Sequence, residues 1–376
     1  MGHPGRSLII FLVLTVAAVA GAQDHPVEVS ADSVMAYTAA DSTRGGTVYL
    51  PVLGYTPDTG VMLGAAMLKF FYLDPPGRDT RPSVFSPTLI YTLKNQIMIF
   101  MGTDLNWGGG KNHAGLFPSY IRFPNQFYGI GRESSLDNEE DYTPEQIAVK
   151  AAYDYRIWRK LRVGGTYVLL RHRLTQVEAG GELASGQVVG VQNSVVSAPG
   201  ISVAWDTRDH TWEPTRGLWL QLKSVWSLPT LGSDYDYIEY GADLRGYRSL
   251  GQKTVLAGQL LWTRMEQDVP FFVLPQLGGE NGLRGYRGGL YVDNIRALGR
   301  LELRQDRIWK RLGGVVFAGV GDVAPSPGTL TLAADLWTAG LGLRYTLNRA
   351  ENVKVRMDFG WGNGDTGFYL SLGEAF

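Results

Sequence analysis

The chain contains no cysteine, so it has neither a disulfide framework nor thiol chemistry. It also lacks long hydrophobic runs. Past the amino-terminal segment, no stretch approaches the roughly 18 consecutive apolar residues of a transmembrane helix. Nor does one sign of charge dominate: 35 Lys and Arg face 36 Asp and Glu, a net charge of −1, which argues against a nucleic-acid partner. Histidine is scarce, and His113, His172 and His210 are scattered among a turn start, a strand end and a second turn. No paired-histidine metal motif and no Gly-x-Ser-x-Gly elbow is present, so no metal, no cofactor and no enzymatic activity is expected. The acidic stretch "LDNEEDY" lacks the spacing and central glycine of a calcium loop.

Other features are abundant. Glycine at 48, tyrosine at 19 and tryptophan at 10 are high for a soluble domain, and suit a membrane barrel with aromatic girdles. The first 22 residues read as a cleaved secretory signal: a short basic start (His3, Arg6), an apolar run over residues 8–20, and Ala20-Gly21-Ala22 at the cleavage site. Residues 23–46 are mostly polar and too few for a domain, which makes them a short lead segment on the periplasmic side. Residues 47–376 are then one domain.

Alternation with period two dominates that domain. In "NVKVRMDFGWG", Val353, Val355, Met357, Phe359 and Trp361 share one face, while Lys354, Arg356, Asp358 and Gly360 share the other. In "LWTAGLGLRYTLN", Trp337, Leu341, Leu343 and Tyr345 oppose Thr338, Arg344 and Thr346. In "IRALGRLELRQD", Arg296, Arg300, Glu302, Arg304 and Asp306 form a charged stripe that only Leu298 interrupts. A soluble sandwich would bury the apolar face, whereas a membrane barrel turns it to lipid and lines the lumen with the charges. The segments run about 10 to 14 residues, long for globular strands and suited to a tilted membrane crossing.

The sequence therefore predicts an all-β fold, a transmembrane antiparallel β-barrel of about sixteen strands. Strands begin near Thr47, Val61, Ser83, Gln96, Asn112, Glu145, Leu161, Val196, Arg216, Tyr235, Lys253, Asn294, Leu312, Leu336, Asn352 and Gly367. Short connections such as "RIWRKL", "YRSLGQK", "RIWKRL" and "LNRAEN" fall on the periplasmic side, and the long stretches 124–144, 177–195 and 269–293 fall outside. An even strand count places both ends of the domain in the periplasm.

The longest outer stretch contains "GGENGLRGYRGG", a glycine-rich run with two arginines and a tyrosine. It is not a phosphate cradle, because the terminal Gly-Lys-Ser/Thr and a following helix are both missing. An arginine inside a wet lumen can instead make a forked pair with a carboxylate, and flanking glycines let the loop pass close to the wall. The expectation is a loop folded into the lumen.

At these residues the chain resembles the BamA/TamA family of outer-membrane barrels, the bacterial surface antigen family. Arg284, Gly285 and Tyr286 match that family's lumenal loop motif. "WDTRDHTWEPTRGLWLQL" resembles its periplasmic turn, with Asp206, Arg208, Pro214 and Gly217 in place, and "FYGIGRESS" and "PVLGYTPDTG" resemble further segments. The chain ends in "FYLSLGEAF", where Phe368, Leu370, Leu372 and Phe376 are similar to the signal that barrel assembly machinery reads. Two departures stand out. The family's periplasmic polypeptide-transport-associated (POTRA) domains find no room before residue 47. "FAGVGDV" puts Gly319 where the family tends to carry an aspartate partner for the loop arginine, which leaves Glu302 as the expected partner and Asp322 as a poorer one.

The resemblance implies a barrel in the bacterial outer membrane that assists insertion or passage of client polypeptides through a lateral seam. Its partners would be outer-membrane lipid, the assembly machinery during its own biogenesis, and client polypeptides or a separate periplasmic protein. Pro51 and Pro57 remove amide donors from the first strand and Gly373 weakens the last, a physical basis for the seam. The alternative is a passive channel or structural barrel without a protein client.

Overall fold

The computed structural model describes residues 46–56, 59–75, 82–210, 213–331, 335–348 and 353–376. The signal segment, the lead segment through residue 45 and Pro57 lie outside the described residues. Seventeen strands follow in order. The first eight are β1 (Gly46–Thr56), β2 (Gly60–Phe71), β3 (Ser83–Thr92), β4 (Ile97–Trp107), β5 (Asn112–Arg122), β6 (Asn125–Phe127), β7 (Glu140–Trp158) and β8 (Leu161–Val177). The rest are β9 (Ser194–Asp206), β10 (Gly217–Ser227), β11 (Tyr237–Ser249), β12 (Thr254–Gln267), β13 (Ile295–Trp309), β14 (Leu312–Ala324), β15 (Leu336–Asn348), β16 (Val353–Gly362) and β17 (Thr366–Leu372).

Sequence neighbours pair antiparallel, save that β5 and β6 both pair with β7, and β17 returns to β1, so the sheet closes. The three residues of β6 extend β5 beyond a break at Phe123 and Pro124, pairing with the start of β7. Sixteen strands thus make the wall. The break has a local cause: Phe123 N–H donates to the Pro144 carbonyl at 3.1 Å, and β7 shifts register against β8 between Thr143 and Pro144. Two prolines that cannot donate to the ladder meet here. The same pair explains why β7 starts at Glu140 rather than near Glu145, since Pro144 reads as a strand boundary in sequence.

The burial pattern is inside out. Leu301, Leu341 and Phe359 are 57%, 57% and 48% exposed, while Glu302 and Asp358 are 0% exposed and Arg344 and Arg356 are 2%. A soluble sandwich would show the reverse, so the apolar faces meet lipid. Trp158, Trp309 and Tyr345 ring one rim of the exposed band, and Trp262, Trp337 and Tyr240 the other. No helix among the described residues is long and apolar enough to cross a membrane. One end of the barrel carries the tight turns 159–160, 250–253 and 310–311. The other carries the long segments 123–139, 178–193 and 268–294.

Candidate functional site

The segment between β12 and β13 folds back into the barrel. Its Gln276 and the neighbouring loop's Gly131 both bridge to Val292, and Gly278–Leu283 and Arg284–Tyr286 bridge within it. At its tip Arg284 is 2% exposed. One guanidinium nitrogen donates to Glu302 on β13 and the other to Asp358 on β16, and the group lies 3.6 Å from the centre of the Phe317 ring on β14. A planar fork can hold two carboxylates on different strands at once, which an ammonium cannot do.

The two carboxylates are shared. Arg304 Nε donates to Glu302 Oε2 at 2.8 Å and Arg344 Nη1 to Asp358 Oδ1 at 2.5 Å. Arg344 Nε also donates to Glu374 Oε2 at 2.8 Å, and Arg356 pairs with Glu280 of the inserted loop. Four arginines (Arg284, Arg304, Arg344, Arg356) thus balance four carboxylates (Glu280, Glu302, Asp358, Glu374). Buried charges are costly to leave uncompensated, and here each carboxylate meets at least one guanidinium. Burial pushes the Glu374 carboxyl up, but Arg344, Arg304 and Lys354 pull it below the usual carboxylate range.

Backbone contacts fix the loop around this cluster. Gly285 has φ +123°, and a Cβ there would lie 2.9 Å from the Trp361 carbonyl carbon, so only glycine fits. Its N–H donates to the Tyr369 hydroxyl at 3.1 Å. Tyr286 is fully buried; its hydroxyl donates to the Trp337 carbonyl and accepts from Asn363 N–H, each at 2.9 Å. Arg296 and Arg300 donate to the loop carbonyls of Gln276 and Gly282, each at 3.0 Å. Leu298, the interruption in the charged stripe, packs with Leu277, Leu283 and Tyr286. At Gly319 a Cβ would come within 2.9 Å of Leu283, so the loop's own leucine occupies the room an aspartate would need.

Asp358 is the partner that sequence reasoning missed. It stands on the polar face of "NVKVRMDFGWG", but nothing in sequence says that β16 faces the same point of the lumen as β13. Asp322 instead accepts from Arg132 at 3.3 Å and Thr331 N–H at 3.0 Å.

In the turn between β9 and β10, Asp206 Oδ1 accepts from Arg208 N and Nε, each at 3.0 Å, and the Arg208 guanidinium lies 4.7 Å from the Trp219 ring centre. Pro214 is buried and Gly217 starts β10 at φ +106°. Glu213 reaches Lys354 at 3.2 Å, and burial raises its carboxyl to about 7.

The carboxyl terminus departs from simple alternation. Phe368 is 43% exposed on the outer face and Leu370 is half-buried; the Leu372 backbone still pairs with Val355. Gly373, at φ +75°, then turns the chain inward, so it ends the strand rather than weakening its packing. Phe376 is buried with Tyr247 and Ala257, and its main-chain oxygen accepts from Arg304 Nη2 at 2.9 Å. Period-two parity would have put Phe376 on the lipid face. One residue in the left-handed region resets that parity.

Beside that end lies the closure. Pro51 is exposed and faces Ala65 of β2. On its other side β1 meets β17 at one register position among the described residues, Tyr55 opposite Leu370, whereas it pairs with β2 from Gly46 to Thr56.

A closed sixteen-strand antiparallel barrel with lipid-facing apolar stripes and an ionic lumen defines the class of outer-membrane barrels. The Omp85 superfamily domain matches residues 99–376, more than half of the sequence, and the chain belongs to that superfamily. Its fold is similar to that of BamA from Haemophilus ducreyi lacking POTRA domains 1–3, at 15% identity and a TM-score of 0.60 over 87% of this chain and 70% of that one. It is also similar to CdiB from Acinetobacter baumannii (14% identity, TM-score 0.56, 88% of this chain and 60% of that one). CdiB from Escherichia coli is similar too (11% identity, TM-score 0.58, 87% and 62%). The chain therefore spans less than two thirds of the length of either CdiB chain. No curated protein matches the sequence. The BamA/TamA-like character and the bacterial outer-membrane location follow from the superfamily and the fold.

Proposed function

We propose that this barrel assists the insertion or passage of polypeptides at the outer membrane by opening between β1 and β17. The observation that carries the reading is the one-position register between these strands. Each net ladder hydrogen bond contributes about 1 kcal/mol, so a junction with few of them separates more readily than any other in the wall. The short β17 and the inward turn at Gly373 leave the Gly46 end of β1 beyond the last strand. Pro51 removes a further donor. An edge of this kind can template an incoming strand by β-augmentation.

The partners of this reading are outer-membrane lipid, an unfolded client strand and a separate periplasmic protein. The barrel assembly machinery acts during the protein's own biogenesis and reads the segment from Phe368 to Phe376. The four motif residues of the β9–β10 turn face the periplasm in this orientation and position that turn.

The test uses the absence of native cysteine. Tyr55→Cys with Leu370→Cys forms one bridge across the seam. The locked protein should lose client insertion in proteoliposomes and recover it under reductant. Unchanged insertion in the fully oxidised protein overturns the lateral-opening reading and leaves a barrel without a protein client.

A further inference from the structure

The lumen is divided. The inserted loop fills the half lined by β13 to β17, and the half lined by β3 to β11 holds a cavity of about 300 Å³. Charged and polar side chains, among them His113, Lys150, Asp154, Lys223 and Glu239, share its lining with apolar ones such as Phe100, Phe117, Val168 and Leu170. His113 and Asp154 stand near the tight-turn ends of β5 and β7, and at the opposite limit the cavity ends against Phe272. Its charged and polar groups give water hydrogen-bond partners of both senses inside the cavity.

What caps it is apolar. Phe271 and Phe272, in a short 3-10 turn of the inserted loop, seat among Phe127, Tyr142, Val188, Val196 and Tyr237. Phe271 packs edge-on against Phe127 and Tyr142, with ring centres 5.6 and 5.7 Å apart. Phe272 stacks on His172 at 3.8 Å. Among the described residues one backbone bond ties the turn to the neighbouring loop, from Phe271 N–H to the Val189 carbonyl at 2.8 Å. An aromatic seal across a polar conduit excludes water, and with it any hydrated solute.

One group packed within the seal gains from its opening. His172 is 1% exposed; its Nδ1 lies 3.1 Å from the Gln146 amide, and its Nε2 is buried without a hydrogen-bond partner among the described residues. With Nδ1 accepting from the amide, Nε2 carries the proton. A buried donor without an acceptor is costly, and water reaching it as Phe272 lifts removes that cost.

The geometry points to a second activity: the β3–β11 half of the lumen is a conduit for small hydrated solutes, with Phe271 and Phe272 as its hydrophobic gate. The solute class is set by the mixed-charge lining, which suits small ions and polar molecules of either sign. This activity requires no separation of β1 from β17.

Planar-bilayer conductance in potassium chloride tests it. The wild-type barrel should be closed for most of a recording. Phe271→Ser with Phe272→Ser should lengthen open time at least about tenfold, while Phe272→Leu stays closed, since dewetting needs an apolar side chain. The bridge between Tyr55→Cys and Leu370→Cys should leave this conductance unchanged, which separates the gate from the seam. A folded double serine variant as silent as wild type overturns the proposal. So does an Arg284→Ala variant that conducts while the serine variant does not, because the block is then the charge cluster. If the double variant does not fold, Thr166→Cys in an otherwise native barrel carries the test, since Thr166 lines the cavity. An impermeant maleimide should label it from the tight-turn side and not from the long-loop side. Equal labelling from both sides overturns the gate.

Discussion

Arg284→Ala removes one cation from a cluster in which four arginines balance four carboxylates. Glu302 and Asp358 each lose a donor but keep another, Arg304 at 2.8 Å and Arg344 at 2.5 Å respectively. Breaking a buried pair typically costs 3 to 5 kcal/mol. The retained arginines put this site at the lower end, about 3 kcal/mol. At 1.4 kcal/mol per tenfold, the undocked fraction of the inserted loop rises by about two orders of magnitude. Native-state proteolysis reads that fraction when reclosing outpaces cleavage, with the cut expected between residues 268 and 294. Because Arg284 and Glu302 touch, the double alanine variant should fall short of the sum by roughly 1 to 3 kcal/mol. Arg284→Lys should lie between wild type and alanine, since a point charge serves one carboxylate at a time. Additivity within about 0.5 kcal/mol for Arg284→Ala and Glu302→Ala would refute the coupling and, with it, the lumenal docking of the loop.

Three further outcomes follow from other parts of the molecule. Gly319→Val should loosen the same loop by roughly 1 to 3 kcal/mol through overpacking against Leu283 and the Gly299 carbonyl, measured by the same proteolysis. Burial raises the Glu213 carboxyl from an ordinary 4.5 to about 7. The stability it contributes is therefore full below about pH 4.5 and lost as pH rises through about 7, a span of roughly 3 kcal/mol. The β9–β10 turn should be cut more slowly at pH 5 than at pH 8, and Glu213→Gln should abolish the difference. The mature protein should fractionate with the outer membrane and migrate faster on gels before heating than after; recovery from the soluble fraction would end the barrel reading.

The sequence by itself determined the architecture. Period-two stripes over about 10 to 14 residues fix which face of each strand is apolar, and a strand has only two faces. Strand starts such as Leu161, Leu312 and Leu336 coincide with the observed ones because tight turns and stripe ends mark them locally. The inward position of Arg296, Arg300, Glu302 and Arg304 follows from the same parity. Only the tertiary structure decided which residues meet. Asp358 joins Arg284 because closure brings β16 and β13 to one point of the lumen, a relation between residues 74 positions apart that no local pattern encodes. Phe376 lies inside because one left-handed glycine overrides the alternation. Phe271 and Phe272 read as part of an outer loop, yet they seal half of the lumen. Their place is set by the space the wall and the charge cluster leave, and that space exists only once the barrel has closed.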